Sequence, residues 1–409
     1  MSGHEPAVSA GNVAEVGTAE AFAGITALEQ QVDEHLTRPH VTAAASQPLL
    51  LAATRWSAAV WRAAEACGPV EVDAVEVSRG LAVVRRPVFV CGAHRSGTTL
   101  VRDLLDDHPA LAVLPSEGTF FTNFERHLHR QRREYWLPYM GCEWLRRLAN
   151  PIHRQPYWLL GRSSQESSAY VGFARALMAW WPLAQEGLGR VASSWPLAAV
   201  ALAYAHCTGR LTAGSILQCW SEKTPTNERF LDRLRAEFPQ AKFVHVVRHP
   251  FAVYASHKEA AHRAGERLGN AAAVLRDLGL SYRVAAAQSR QGCEDYLLIR
   301  YEELIESVRG TADRLAAFAR IESLASLMHP SAAGLPTSSN SSFPVDEVPG
   351  WVQPLAPRSW ADTLTRSERR RVVAAVGDAA ARLGYELTPV APWRARLSRC
   401  GTRIMGRLT

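Results

Sequence analysis

Apolar residues recur along this chain with more than one spacing, and the spacing changes where one element gives way to the next. Ile25, Leu28, Val32 and Leu36 fall three and four residues apart, as on one face of a helix. A second helix is predicted from Pro48 to Ala66, carrying Leu49, Leu50, Trp56, Val60 and Trp61. Together they predict an N-terminal helical extension over residues 1–80, loose over its first twenty or so residues. Pro87–Cys91 breaks the pattern with a short unbroken apolar run, fit for a strand buried on both faces. Leu100, Leu104 and Leu105 resume helical spacing, and His108-Pro109 ends it. Lys242–Val247 and Tyr296–Tyr301 read as further buried strands. Glu228–Phe238, Leu275–Gln288, Thr311–Phe318 and Ser367–Leu383 read as helices, the last closed by Gly384. Pro330–Pro357 reads as loop. Strands alternating with helices predict an α/β fold, a central parallel sheet flanked by helices, over residues 81–388. A tryptophan-rich helical insertion, about residues 120–218, interrupts it. A basic tail, residues 389–409, follows.

The stretch after the first strand carries chemistry. Gly92–Thr99, GAHRSGTT, has the outline of a P-loop, with glycines at its first and sixth positions. Backbone N–H groups in such a loop and at the following helix start suit a phosphate. A nucleoside-triphosphate loop reads GxxxxGK followed by Ser or Thr. Here Thr98 stands where that lysine would be, and the positive charge lies inside the loop at Arg95. Downstream, AKFVHVVRHPFAVYASHKE runs a buried strand into Arg248, a His-Pro turn and Ser256, eight residues after the arginine.

These two motifs, in this order, resemble those of sulfotransferases that use 3′-phosphoadenosine 5′-phosphosulfate (PAPS). SEKTP at Ser221–Pro225, LIRYEELIES at Leu298–Ser307 and NSSF at Asn340–Phe343 extend the resemblance over roughly Pro87 to Tyr385. It is nearest the branch holding bacterial and tyrosylprotein sulfotransferases. The resemblance implies a P-loop-type sheet and an enzyme that moves a sulfuryl group from PAPS to an acceptor hydroxyl without a metal. It places Arg95, Ser96, Gly97, Thr98 and Thr99 around the 5′-phosphosulfate, and Arg248 and Ser256 on the 3′-phosphate. Tyr301 matches a tyrosine that contacts the nucleotide, with core packing as the even alternative. Ser341 or Ser342 matches a late serine near the phosphosulfate.

By the same resemblance Glu117, in LPSEGTFF, stands at the general base, and Lys223 beside the bridging oxygen of the leaving group. The plainer readings are a helix-cap carboxylate and a surface lysine before a proline turn. Arg95 joins them as a catalytic cation. Glu125, His127 and His129 are weaker base candidates, in a run that reads first as solvated helix. Tyrosylprotein relatives carry a basic residue four places past the serine. Here that place is Ala260, with Lys258 and Arg263 nearby, so the third contact to the 3′-phosphate is open.

Composition narrows the alternatives. The formal charge is +7 and the pI about 9.2. With no basic block interleaved with aromatics in the first half, this fits an anionic nucleotide site better than nucleic-acid binding. The seven cysteines, Cys67, Cys91, Cys142, Cys207, Cys219, Cys293 and Cys400, form no CxxC pair, so no zinc site is expected. Reduced thiols, an N-terminus unlike a secretory signal and no apolar run near twenty residues predict a soluble, cytoplasmic protein. The tail WRARLSRCGTRIMGRLT reads as solvated, with weak contact to an anionic membrane surface as the alternative. The expected acceptor is a small molecule, apolar or aromatic if the insertion's tryptophans face it. A peptide tyrosine or a saccharide stays open. The competing functions are a P-loop kinase or NTPase and a non-catalytic PAPS-binding module.

Overall fold

A computed structural model describes residues 24–32, 43–150, 158–160, 164–189, 192–263, 265, 267–337, 348–353 and 360–387. Five strands form the central sheet: β1 (Pro87–Cys91), β2 (Leu111–Val113), β3 (Cys219–Lys223), β4 (Lys242–Val247) and β5 (Tyr296–Arg300). All pair in parallel, in the order β2-β3-β1-β4-β5. β1 and β4 occupy the apolar runs that predict them. β5 stops one residue early, because Tyr301 opens the helix Tyr301–Glu306. β2 and β3 escape pattern reading. β2 has three residues, and β3 reads CWSEK, with its Ser, Glu and Lys all buried. Val90 aligns with Lys223 and Cys91 with His245, so β3, β1 and β4 end at about the same level.

Alternation along β1 separates two cores. Val88 and Val90 join the helices Thr98–Leu105 and Val308–Ala319 on one face. Phe89 turns the other way, against Trp220, Phe238 and Phe243. This second core continues through the insertion into the N-terminal helices. Trp56, on the helix Ala43–Cys67, meets Trp158 and Tyr170 edge-on at 5.4 and 5.0 Å. Gly141 of the helix Trp136–Ala149 lies against Trp61 with no room for a methyl group, and Gly80 lies the same way against Trp180. Extension, insertion and one sheet face therefore share one apolar interior. Trp144, Trp180 and Trp220 are fully buried within it, so these rings pack the molecule and offer no surface to an acceptor.

A third core joins Val247 to the helices Pro250–Arg263, Ala271–Gln291 and Arg366–Arg382 beside β4. Pro330–Pro357 is not all loop, since Ser331–Ala332 and Leu335–Pro336 pair as a small antiparallel ladder. Ser341, Ser342, Cys400 and the basic tail lie outside the described residues. Among the described residues no helix is long and apolar enough to cross a membrane.

Candidate active site

Each strand of the sheet brings one candidate group to the same edge. The Gly92–Gly97 loop follows β1, Glu117 follows β2, Lys223 ends β3, Arg248 follows β4 and Tyr301 follows β5. In a parallel sheet the loops after the carboxyl ends collect on one side, where ligands bind.

The loop is held tightly. Gly92 has φ +138°, and a Cβ there would strike the carbonyl oxygen of Val246 on β4. Its N–H donates to Glu228 Oε2 at 3.1 Å. Gly97, at φ +104°, starts the helix Thr98–Leu105 and leaves no space for a Cβ beside the Tyr301 ring. Glycine is needed at both places for conformation and for clearance. Arg95 adopts φ +69°, a left-handed conformation uncommon for a side-chain-bearing residue and a recurrent mark of ligand loops. Thr98 is buried and Thr99 half-buried in the first helical turn. Ser96 is turned inward, with both its N–H and its hydroxyl donating to the Ala93 carbonyl, at 3.1 and 2.7 Å.

Arg248 reaches this loop from β4. Its Nη1 donates to the Arg95 carbonyl at 3.3 Å, and its guanidinium lies over the Tyr301 ring, 4.3 Å from the centroid. The turn below is pinned three ways. Tyr282 donates its hydroxyl proton to the Arg248 carbonyl, the His249 N–H donates to Glu302 Oε1 at 2.8 Å, and Tyr385 donates to Glu302 Oε2 at 2.8 Å. Burial, then the charges of Arg248 and Arg263, hold the Arg95 guanidinium below the usual arginine value. Arg248 Nε is buried without a hydrogen-bond partner among the described residues. Converging cations and a buried donor left unpaired are both costly unless an anion completes the site. The residues present therefore fit a bound anion.

Ser256 is buried on the helix Pro250–Arg263. The same helix narrows the choice left by Ala260. Lys258 is taken up by Glu368 and by the Thr363 carbonyl, at 3.0 and 2.9 Å. Arg263, itself 3.7 Å from Glu259, is the one of the two whose charge reaches Arg95.

Lys223 Nζ lies 2.5 Å from Glu117 Oε1. The lysine side chain is 4% exposed and the glutamate 37%, so the ammonium is enclosed while the carboxylate opens outward. Burial works to raise the Glu117 carboxyl, but the adjacent Lys223 outweighs it and holds the group ionised, below the usual range. Burial also pulls the Lys223 ammonium below its ordinary value, and Glu117 opposes that pull. Glu117 is not a helix cap. It lies in the loop between β2 and a π-helical turn, Phe120–Phe124, whose start has no side-chain cap. Lys223 is the buried end of a central strand rather than a surface residue. Glu125 is committed elsewhere, to Arg233 and Ser193.

Three neighbours on or just past β3 grip three successive residues of the Glu117 loop. Glu222 Oε1 accepts the Gly118 N–H at 2.8 Å, Lys223 meets the Glu117 carboxylate, and Thr224 Oγ1 accepts the Thr119 N–H at 2.7 Å. Glu222 is fully buried and its carboxyl is pushed up to about 7 by desolvation. From the insertion, Arg147 donates to the Glu117 carbonyl and to Thr119 Oγ1. Glu222 stands inside the SEKTP motif, where only the lysine was read as functional. Arg147 carries no local signal.

Residues 87–325 match the profile of the sulfotransferase family. No curated protein sequence matches the chain significantly. Among solved structures it is similar to the sulfotransferase domain of the Synechococcus PCC 7002 olefin synthase. That match is 20% identical, covers 74% of this chain and 96% of that one, and has a TM-score of 0.41. It is also similar to a sulfotransferase of Mycobacterium avium, at 17% identity, with 80% and 87% coverage and a TM-score of 0.37. The family match spans more than half of the chain and takes in the loop, Glu117, Lys223, Arg248 and Tyr301. On that match the chain belongs to the sulfotransferase family, and the protein is a sulfotransferase enzyme.

Proposed function

We propose that the enzyme takes its sulfuryl group from PAPS and passes it to the hydroxyl of a small-molecule acceptor, with Glu117 as general base. One observation carries the reading. The Arg95 loop and Arg248 meet at one end of the sheet, beside a lysine paired with a half-open carboxylate. A nucleotide phosphorylated at both its 5′ and 3′ positions needs two such grips, and ATP does not.

The donor supplies a sulfur bound to a phosphate oxygen that can leave. The loop N–H groups, Thr98, Thr99 and Arg95 bind the 5′ side, and Arg248, Arg263 and Ser256 bind the 3′-phosphate. Ser341 or Ser342 belongs to the same phosphosulfate side. Tyr301, stacked under Arg248, fixes where that guanidinium points. The acceptor oxygen bonds to sulfur as the bond from sulfur to the bridging oxygen breaks. Glu117 takes the acceptor proton, and Lys223 hydrogen-bonds the bridging oxygen as charge builds there. As Lys223 turns to that oxygen, Glu117 loses its partner and becomes the stronger base that the step needs.

Calorimetric titration tests the donor. Adenosine 3′,5′-bisphosphate is expected to bind more tightly than ATP. Arg248→Ala should weaken the bisphosphate by about 2 kcal/mol or more, roughly thirtyfold, and leave ATP nearly unchanged. Equal affinities, both indifferent to Arg248, would remove the donor assignment.

A further inference from the structure

Arg147 sits on the insertion helix Trp136–Ala149, thirty residues beyond Glu117 in sequence. Its Nη1 donates to the Glu117 carbonyl and its Nη2 to Thr119 Oγ1, the latter at 2.9 Å. The guanidinium lies over the rings of Phe124 and Trp144, with centroids at 4.5 and 5.6 Å. Burial pulls it below the usual arginine value. Among the described residues no carboxylate pairs with it within ion-pair distance. A half-buried cation with no ion-pair partner is costly, and the charges of Glu143 and Glu117 and the aromatic faces offset only part of that cost.

The contacts that Arg147 does make converge on a strained loop. Thr119, a β-branched residue, is held at φ +46°, a conformation such residues avoid. Thr224 Oγ1 accepts its N–H from one side, and Arg147 donates to its hydroxyl oxygen from the other. The β3 side alone fixes the amides of Gly118 and Thr119. The Glu117 carbonyl and the Gly118 N–H are two ends of one planar peptide, so Glu222 holds that peptide by its N–H and Arg147 holds it by its carbonyl.

We propose that Arg147 is a positioning residue for the reaction: its fork sets the Glu117 backbone so that the carboxylate faces Lys223 and the acceptor, which couples the insertion to the base. The catalytic part of this rests on the reading of Glu117 as base. The positioning part does not.

The test separates the two. Glutamate side-chain carboxyls are labelled with carbon-13, and the Glu117 resonance is identified by its loss in Glu117→Gln. In the native protein that resonance should titrate below the ordinary glutamate range. Arg147→Lys keeps the charge and loses the fork. It should move the titration upward by about a unit, toward the ordinary value, without weakening adenosine 3′,5′-bisphosphate. An unmoved Glu117 titration, or a parallel loss of nucleotide affinity, would overturn the proposal. Should the lysine variant fold poorly, Thr119→Ala removes one end of the fork's contacts and is expected to shift the same resonance in the same direction.

Release of adenosine 3′,5′-bisphosphate from PAPS, with water as acceptor, then reads the catalytic part. Arg147→Lys should slow it about tenfold to a hundredfold. Combined with Glu117→Gln it should add nothing to the loss from Glu117→Gln alone. Fully multiplicative losses would mean that Arg147 acts elsewhere. If Glu117→Gln leaves turnover intact, the base assignment fails while the titration still decides whether Arg147 positions the loop.

Discussion

Glu222 is a carboxyl with almost no water around it, directly behind the proposed base. Its oxygens accept from Gly118, Thr224 and Asn227, and desolvation still pushes it up to about 7. Unfolded, the same carboxyl titrates near 4.5. Between those two values the native state binds the extra proton, so this group's contribution to stability is complete below about pH 4.5 and is lost as pH rises through about 7. Glu222→Gln removes the titration. Its amide nitrogen can donate to Asn227 Oδ1, which is buried without a partner among the described residues. Relative to the glutamine variant, the native enzyme should lose up to about 3 kcal/mol of stability between pH 5 and pH 8. Denaturant unfolding at the two pH values measures it, and a constant difference would refute it. In Glu117→Gln, turnover with the best acceptor from a hydroxyl panel should fall by about a hundredfold or more, with bisphosphate affinity retained. Both glutamates are plain in the sequence. Only Glu117 could be singled out there, because burial, which gives Glu222 its perturbed carboxyl, is a tertiary property.

Among elements, the loop after β1 and its closest neighbour show how much spacing alone conveys. GAHRSGTT between an apolar run and a helical pattern is enough to predict a strand, an anion loop and a helix. The ring that presses on Gly97 belongs to Tyr301, across two strands of the sheet. Gly97→Ala must both strain a φ of +104° and displace that ring. The strain alone is worth about 1–2 kcal/mol, so bisphosphate affinity should drop about tenfold or more. Calorimetry would show it, and unchanged affinity would mean that the loop is not gripped as described. β3 was hidden for an opposite reason. Its Ser221, Glu222 and Lys223 look like surface residues, yet all three are buried because the Val88 carbonyl of β1 and the loops over the sheet edge supply their polar partners. The π-helical turn Phe120–Phe124 has no sequence signature, and such turns are frequent at functional sites.

For the molecule as a whole, the helices before residue 81 and the insertion close one interior with the sheet. Removing residues 1–67 would strip Trp56 and Trp61 from Trp158, Tyr170 and Gly141. That truncation is expected to lose its near-ultraviolet circular dichroism and to bind a hydrophobic dye, as a chain without fixed packing does. A cooperative, native-like spectrum would show that the core is independent of the extension. Taken alone, the sequence determined the alternation of helices and strands, the anion loop, and the two arginines with their order along the chain. Those follow from local periodicity and from backbone chemistry, which a few neighbouring residues suffice to set. Tertiary structure decided the strand order, the pairing of Glu117 with Lys223, the burial of Glu222 and the reach of Arg147. Each joins residues far apart in the chain, and burial and charge–charge contact exist only once the sheet has brought them together.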